Sequence, residues 1–570
     1  MPDLPLLVFG PRSLTYDFGP SHPLTPRRFG PGIDLLRELG AEPGLAPEPA
    51  SDDELRLCHT ARYIEVVKRF SEADLDPWGE SEAGIGPGDD PPFHGMHEAG
   101  AAVAGGSLRA IEAILRGDVL HAFHPGGGLH HAMPSRAAGF CIYNDVALAV
   151  ERARRDGLRV LYVDLDVHHG DGVEAIFRDD PGVLTVSFHE SGRYLFPGTG
   201  FPDDLGDGAA AGTSVNVPFE PLSGERAWLS GVEAIVPPLA AAFGPDIIVS
   251  QHGADSHAWD PLAHLRVTTT VMGAAARLID RVAHRYARGR WLATGGGGYD
   301  AYRVVPRSWS HVWLAGAHRE VPDATPGPWR QRWSAESARY GQAPPPRAFD
   351  DPPNAGEPFD SGQAAADDES IARWAVIRGV VVPGLLVAAE QAGWWSPLDD
   401  GSPDDPAAAV PSSEPAVVAL TPERLERLRI ADRVVAPFGA PDALSLLTAA
   451  LRADRGATAM AAVSGDVIVG LAVLGPSERA EESAVLALGV APPLRGQGLG
   501  TALLSALARS DSDRIVAPAG VADRDVVDPL PYADRLSIAR RVMERAGFTV
   551  VPAVGAFARI DPGALLGIRG

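Results

Sequence analysis

Between Tyr162 and Gly172 the chain reads YVDLDVHHGDG, a concentration of groups that are costly to bury. An apolar lead, Leu158 to Val163, runs into Asp164, Asp166 and His168 at every second position, so an extended backbone points all three to one side. Carboxylates among Val, Leu and Tyr are desolvated at a cost unless a cation or hydrogen-bond donors compensate them, and imidazole is the commonest metal-binding side chain. Two carboxylates and one imidazole leave room for water, the arrangement of a catalytic rather than a structural zinc. Asp166, His168 and Asp260 are the candidate ligands. Water on such an ion loses a proton near neutral pH, and the ion polarises a carbonyl oxygen, which points to hydrolysis of an amide. His130 and His131 are suited to proton transfer, each oriented by a carboxylate, with Asp164 and Asp171 as the candidates. Tyr299, placed by four glycines, can donate a hydrogen bond to a developing oxyanion.

These residues need a scaffold that brings distant segments together. Short apolar runs recur at Leu4 to Val8, Val119 to Phe123, Leu158 to Val163, Val183 to Phe188, Asp246 to Ser250 and Trp291 to Thr294. Between them, Met96 to Leu115, Asp145 to Arg155 and Val271 to Tyr286 carry apolar residues at helical spacing. The alternation predicts an α/β domain with a largely parallel sheet, and ligands in such sheets collect at the carboxyl ends of the strands. Four of those ends are followed by titratable groups: HPGGGLHHA, the Asp166–His168 segment, QHGADSHAWDP with Asp255 and Asp260, and GGGGYD. Their coincidence at one rim is the signal.

A chain of 570 residues exceeds one ordinary core, so two or three domains are expected. From about Glu320 the texture turns to APPPRAFDDPPNAGEP, a composition expected not to build a core, followed by a helical stretch at Ser370 to Ala392. The expected organisation is a first domain over 1–397, with its core in 1–320 and an extension in 321–397. A linker follows at 398–414, then a second domain over 415–570. The net charge of −24 and the absence of a basic run argue against nucleic acid or an anionic membrane as partner. Cys58 and Cys141, the only cysteines, cannot make a disulfide framework, which fits a reducing cytoplasm, and MPDLPLLVFG lacks the basic region of a signal peptide. Lys68 is the only lysine, so arginine supplies nearly all the positive charge.

GGGLHHA, GFCIYND, YVDLDVHHGDG, FPGTG, GADSHAWDP and GGGGYD, in that order over Leu4 to Trp313, resemble the zinc-dependent histone deacetylase superfamily. SQHGADSHAWDPLAHL and PPFHGMHEA are similar to its bacterial acetoin-utilisation deacetylases. The resemblance implies an arginase/deacetylase-type fold, a parallel sheet flanked by helices. It implies Asp166, His168 and Asp260 as Zn2+ ligands, His131 as general base and then acid, His130 as its electrostatic partner, and Tyr299 as carbonyl polariser. Phe140 and Phe196, with Gly139 and Gly297 beside them, would line an acyl-lysine channel, and Asp89 or Asp90 would hold the substrate backbone. K+ would bind beside the zinc through Asp164 and Ser187, and Arg27 or Arg28 would line an acetate exit. The implied substrate is an acetylated protein, acetyl-CoA synthetase among the candidates; acetylpolyamine amidohydrolases share the chemistry and differ in channel width. Two positions depart from the pattern. Leu129 stands where eukaryotic relatives carry an aromatic residue. Dimetal ureohydrolase relatives need a carboxylate four residues after the first ligand, and Gly170 stands there, so one transition ion is expected in this domain. Fe2+ suits the same donor set.

Further on, Thr458 to Val463 and Val467 to Val473 flank Gly465-Asp466 as a hairpin would. ALGVAPPLRGQGLGTALLSALA then runs from a strand through a glycine-bearing loop into a helix, where amides near Arg495, Gly496, Gly498 and Gly500 could hold a pyrophosphate. With ERAGFTVV this stretch resembles the GNAT acetyltransferases and implies acetyl-CoA bound along Val490 to Gly500 in a smaller α/β domain. Met543 occupies the position where that family often carries a tyrosine acid, and Tyr532 is the nearest substitute.

Overall fold

The structure, a computed structural model, describes residues 4–72, 80–352, 355, 360–391, 416–421, 429–430, 458–464, 467–476, 483–490, 499–507, 515–519, 540, 543–545, 547–552 and 565–569. It divides into two compact units, Met1–Val236 with Phe243–Ile377, and Pro237–Ala242 with Arg378–Gly570.

The first unit is built on eight strands: β1 (Leu6–Val8), β2 (Pro43–Leu45), β3 (His121–His124), β4 (Val160–Asp164), β5 (Val183–Glu190), β6 (Ser214–Phe219), β7 (Ile247–Gln251) and β8 (Trp291–Thr294). They lie in the order β2-β1-β3-β8-β7-β4-β5-β6, and every pairing is parallel. β4, β7 and β8 are buried at every position, which is why they read as largely apolar runs rather than alternating ones; β5, equally buried, alternates Leu184, Val186 and Phe188 with Thr185, Ser187 and His189. Parallel neighbours need crossovers. Met96–Arg116, Asp145–Arg154, Asp171–Phe177, Glu225–Phe243 and Thr269–Tyr286 serve as the crossover helices. The first is small-residue-rich, with Ala99, Ala101, Ala102 and Ala104 fully covered, and it ends at Gly117 in a left-handed cap. No helix among the described residues is long and apolar enough to cross a membrane.

The sequence-predicted strands and helices are present with ends shifted by no more than two residues, and two edge strands, β2 and β6, join them. Each of these two carries a proline, which masks strand character in a sequence and is tolerated at a sheet edge. The proline-rich stretch after Glu320 corrects the expectation that it cannot contribute to a core. Phe349 is fully buried, and Asp351 is buried against Arg307 Nη1 at 2.7 Å and His257 Nε2 at 2.9 Å. One aromatic anchor and a paired carboxylate fix this segment, where average composition had suggested none. The helix expected at Ser370 begins nine residues earlier, spanning Ser361–Gln391.

In the second unit the described strands are β9 (Ala416–Leu420), β10 (Arg429–Ile430), β11 (Thr458–Ser464), β12 (Val467–Pro476), β13 (Ser483–Val490), β14 (Ile515–Ala519), β15 (Thr549–Pro552) and β16 (Leu565–Arg569). Their order is β15-β16-β14-β13-β12-β11-β9 with β10 against β12, mostly antiparallel. β11 and β12 form the expected hairpin, with Ser464 opposite Val467. β14 runs parallel to β13 but pairs with it only at Ser483 and Ala484, while staying paired with β16 through Ala519. Gly500 lies in the helix Leu499–Leu507, and Val490 ends β13. Arg495, Gly496, Gly498, Tyr532, the Gly465-Asp466 turn and the 398–414 linker lie outside the described residues.

Candidate active site

Asp164 is the last residue of β4, and the chain then turns through Asp166 and His168 at the carboxyl edge of the sheet. Asp164 is wholly buried, a position tolerable because three donors meet it: His130 Nδ1 at 2.7 Å, the Tyr162 hydroxyl at 2.6 Å and the Asp166 amide at 3.1 Å. Beyond it, Asp166, His168 and Asp255 each offer one donor atom within 4.8 Å of the others, and all are buried. His168 Nδ1 is 3.2 Å from Asp166 and 3.1 Å from Asp255. Asp260, the third ligand of the sequence reading, stands beside this group. Its oxygens accept from the Leu262 and Tyr299 amides at 3.0 and 2.8 Å.

Three carboxylates crowd one imidazole here, and the electrostatics follow. Burial and the charge on Asp166 push Asp255 up to about 6, and burial and Asp255 hold Asp260 well above the usual carboxylate range. His168 goes up to about 10 in spite of its burial, because it sits between Asp166 and Asp255. The set is short of positive charge and rich in hard oxygen and imidazole donors, so a divalent transition ion fits it. A second ion of the dimetal type does not: a Cβ at Gly170 would stand 2.3 Å from Asp164 Oδ2, leaving no room for a carboxylate.

His130 and His131 are consecutive, buried and opposite in character. His131 Nδ1 lies 2.6 Å from Asp171, at the start of the helix Asp171–Phe177, and His130 pairs with Asp164. Burial opposes charge on both imidazoles. For His130 the pull of Asp164 and Asp166 wins and carries it up to about 9. For His131, burial and the neighbouring His130 win over Asp171 and bring it down to about 4. At neutral pH His130 is charged and His131 is free to accept a proton. Tyr299 keeps its hydroxyl proton, since burial and Asp255 raise it well above its ordinary value.

These groups open onto a cavity of about 220 Å³. Phe196 crosses His131 edge-on at 5.0 Å, and Phe140 crosses Tyr299 at 6.0 Å, so the two rings stand over the two reactive side chains. Gly139 has φ +54°, and a Cβ there would come 2.4 Å from the His131 ring. Gly297 donates its amide to Asp166 at 2.7 Å. Asp89 is exposed and lines the cavity, whereas Asp90 is buried with the Phe140 and Cys141 amides near its carboxylate. The structure thus leaves Asp89 for the rim. Arg28 is buried, donates to the Gly296 carbonyl at 2.7 Å and lines both this cavity and a small one of about 20 Å³. Arg27 instead packs over Tyr340. Ser187 stands opposite Asp164 across β4 and β5.

Several positioning residues carry no chemical signature in the sequence. Asn144 caps the helix Asp145–Arg154 through Ala147 and gives its amide to the His130 and Ala132 carbonyls at 3.2 and 3.1 Å. Asp145 accepts the Gly128 and Leu129 amides, and Gln251 reaches Asp166 at 3.3 Å. Asp255 was visible as a strand-end carboxylate but not as a partner of His168, because that contact depends on how the loop after β7 folds back.

Residues 22–315 match the histone deacetylase domain family, and residues 425–514 match the acetyltransferase (GNAT) family. The acetoin utilization protein AcuC of Bacillus subtilis is 42% identical over 336 residues, covering 58% of this chain and 87% of that protein. AcuC of Staphylococcus xylosus is 37% identical, covering 57% and 86%. A solved HDAC homolog in complex with SAHA superposes with a TM-score of 0.56 at 28% identity, covering 65% of this chain and 100% of that one. An HDAC homolog from Aquifex aeolicus gives 0.55 at 27%, with the same coverages. With a parallel sheet whose carboxyl edge carries a buried Asp/His cluster and a paired-histidine dyad, the chain belongs to the histone deacetylase family, an AcuC-like hydrolase with a GNAT domain in its C-terminal part.

Proposed function

We propose that the N-terminal unit hydrolyses N-acetyl-lysine in proteins, releasing acetate. The observation that carries this reading is the His130/His131 pair beneath an aromatic-walled cavity, His130 Nδ1 held by Asp164 at 2.7 Å and His131 Nδ1 by Asp171 at 2.6 Å. A divalent ion, Zn2+ or Fe2+, held by Asp166, His168 and Asp260 would supply the Lewis acid for the acyl carbonyl and for water. Asp260 is taken as the third ligand on the family resemblance, while Asp255 stands 3.1 Å from His168 Nδ1 and accepts the Val167 amide. His131 accepts the proton of the attacking water and returns it to the leaving lysine amine. His130, charged, stabilises the negative charge that develops, and Tyr299 donates its hydroxyl to the oxyanion. Phe140 and Phe196 clasp the apolar lysine stem, Asp89 meets the peptide backbone at the rim, and Arg28 faces the departing acetate. K+ on Asp164 and Ser187 belongs to the same reading and rests on the family resemblance and on their cross-strand pairing.

The C-terminal unit, taken as beginning near residue 415 after a 398–414 linker, is proposed to bind acetyl-CoA through Val490, Arg495, Gly496, Gly498 and Gly500. The early parting of β13 and β14, which among the described residues pair at Ser483 and Ala484, supports this. Calorimetry on the full chain should register acetyl-CoA binding that Arg495→Ala weakens; heats no greater than dilution at millimolar ligand would leave the stretch a simple turn. A cytoplasmic location belongs to the same reading. Incubating the pure protein with an acetylated lysate and mapping the acetyl-lysines that disappear tests the hydrolase reading. Loss of defined sites supports it, acetyl-CoA synthetase among those expected. Turnover confined to acetylated polyamines would overturn the protein substrate.

A further inference from the structure

We propose that His121, Asp280, His284 and His318 form a second transition-metal site, of the kind that holds Zn2+, at the amino end of the sheet. His121 is the first residue of β3, so this cluster lies at the edge of the sheet opposite the carboxyl ends that carry the catalytic residues. Asp280 and His284 are four residues apart on the helix Thr269–Tyr286 and share one face, and His318 follows the helix Val305–Gly316. One donor atom from each of the four lies within 4.8 Å of the other three.

The distances suit an ion. Asp280 Oδ1 is 3.4 Å from His121 Nε2, 3.6 Å from His284 Nε2 and 3.2 Å from His318 Nε2. A tetrahedron with metal–ligand bonds of about 2.0–2.1 Å has edges of roughly 3.3 Å. His121 supplies the second, independent indication. Its Nδ1 is 3.1 Å from the Gly316 carbonyl, which can only accept, so Nδ1 holds the proton and the lone pair of Nε2 faces the cluster. That Nε2 is buried without a hydrogen-bond partner, and it faces a carboxylate oxygen. A lone pair against an anion is repulsive unless a cation stands between them. Arg281 is the other charged group that acts on Asp280.

Three imidazoles and a carboxylate select Zn2+ over Mg2+ or Ca2+, and four protein ligands leave no open position, which marks a structural site. His284 and His318 are exposed and give an ion its way in, while His121 and Asp280 are buried beneath them. The ion would tie the start of β3 to the helix Thr269–Tyr286 and to the segment after Val305–Gly316. The single transition ion expected from Gly170 then applies to the catalytic centre alone.

The test is zinc content of the full-length protein after equilibration with ZnCl2 and dialysis. Wild type should hold two ions, a His284→Ala/His318→Ala variant one with hydrolase activity kept, and an Asp166→Ala/His168→Ala variant one. In the last protein, added ZnCl2 should raise the melting temperature, and adding His284→Ala/His318→Ala to it should remove that rise. A His284→Ala/His318→Ala protein with wild-type zinc content overturns the proposal. So does an Asp166→Ala/His168→Ala protein that is folded by circular dichroism yet holds no zinc.

Discussion

At the scale of single residues the site works by giving like groups unlike surroundings. Two histidines adjacent in sequence are separated in character by which carboxylate each meets, and two aspartates five residues apart by their partners, Asp255 meeting His168 and the Val167 amide and Asp260 the Leu262 and Tyr299 amides. Asp260→Asn is expected to abolish tight metal binding, while Asp255→Asn should weaken it by roughly 10- to 100-fold, the usual cost of losing a group that orients a ligand. Metal titration of the two variants checks this, and the reverse ranking would exchange their roles. Tyr299→Phe should keep the metal and lower turnover of an acetyl-lysine peptide by roughly 10²- to 10³-fold, the scale of one lost oxyanion donor. Turnover at the wild-type level would remove Tyr299 from the oxyanion site.

At the scale of elements, the buried strands were legible because fully covered parallel strands are apolar throughout, and so were the titratable groups that follow them. Asp166 and His168 were marked by their alternate spacing, and His130 and His131 by following a strand end alongside other titratable groups. The edge strands β2 and β6 could not, each carrying a proline. Nor could the burial of Phe349 and Asp351, which depends on Arg307, more than forty residues earlier on the helix Val305–Gly316. Arg307 and Asp351 are both almost wholly covered, so removing one leaves the other charged and unpaired. Asp351→Ala is expected to cost about 3–5 kcal/mol, seen as a lowered urea midpoint, whereas exposed pairs such as Arg12–Glu48 should cost less than about 1 kcal/mol. Equal costs for the two would mean that the proline-rich segment is not anchored as described.

At the scale of the molecule, acid should destabilise the first unit well before its carboxylates are all protonated. Burial brings His124 and His252 down to about 3 and His59 to about 4, so the folded chain keeps all three neutral at pH 5. The unfolded chain protonates them near their ordinary value of about 6.5 and so binds more protons below it, which makes stability fall as pH drops from about 6.5 toward the folded values. The urea midpoint followed by tryptophan fluorescence should therefore be lower at pH 5 than at pH 7.5; an unchanged midpoint would mean these histidines charge within the fold. On the proposed reading, a GNAT domain on the same chain as a deacetylase-family hydrolase would bring acetyl removal and acetyl-CoA recognition together, and separate substrates are the arrangement that avoids futile hydrolysis of acetyl-CoA. On the proposed reading His131, held by Asp171, drives hydrolysis of acetyl-lysine at the Asp166/His168 centre. This reading is tested most directly by acetate release from an acetyl-lysine peptide, with wild type and His131→Ala measured at matched metal content. Release by wild type is expected, with a loss of at least roughly 10²-fold in the variant, the lower end for one proton-transfer group. No release by metal-loaded wild type, or equal rates for the two proteins, would contradict it.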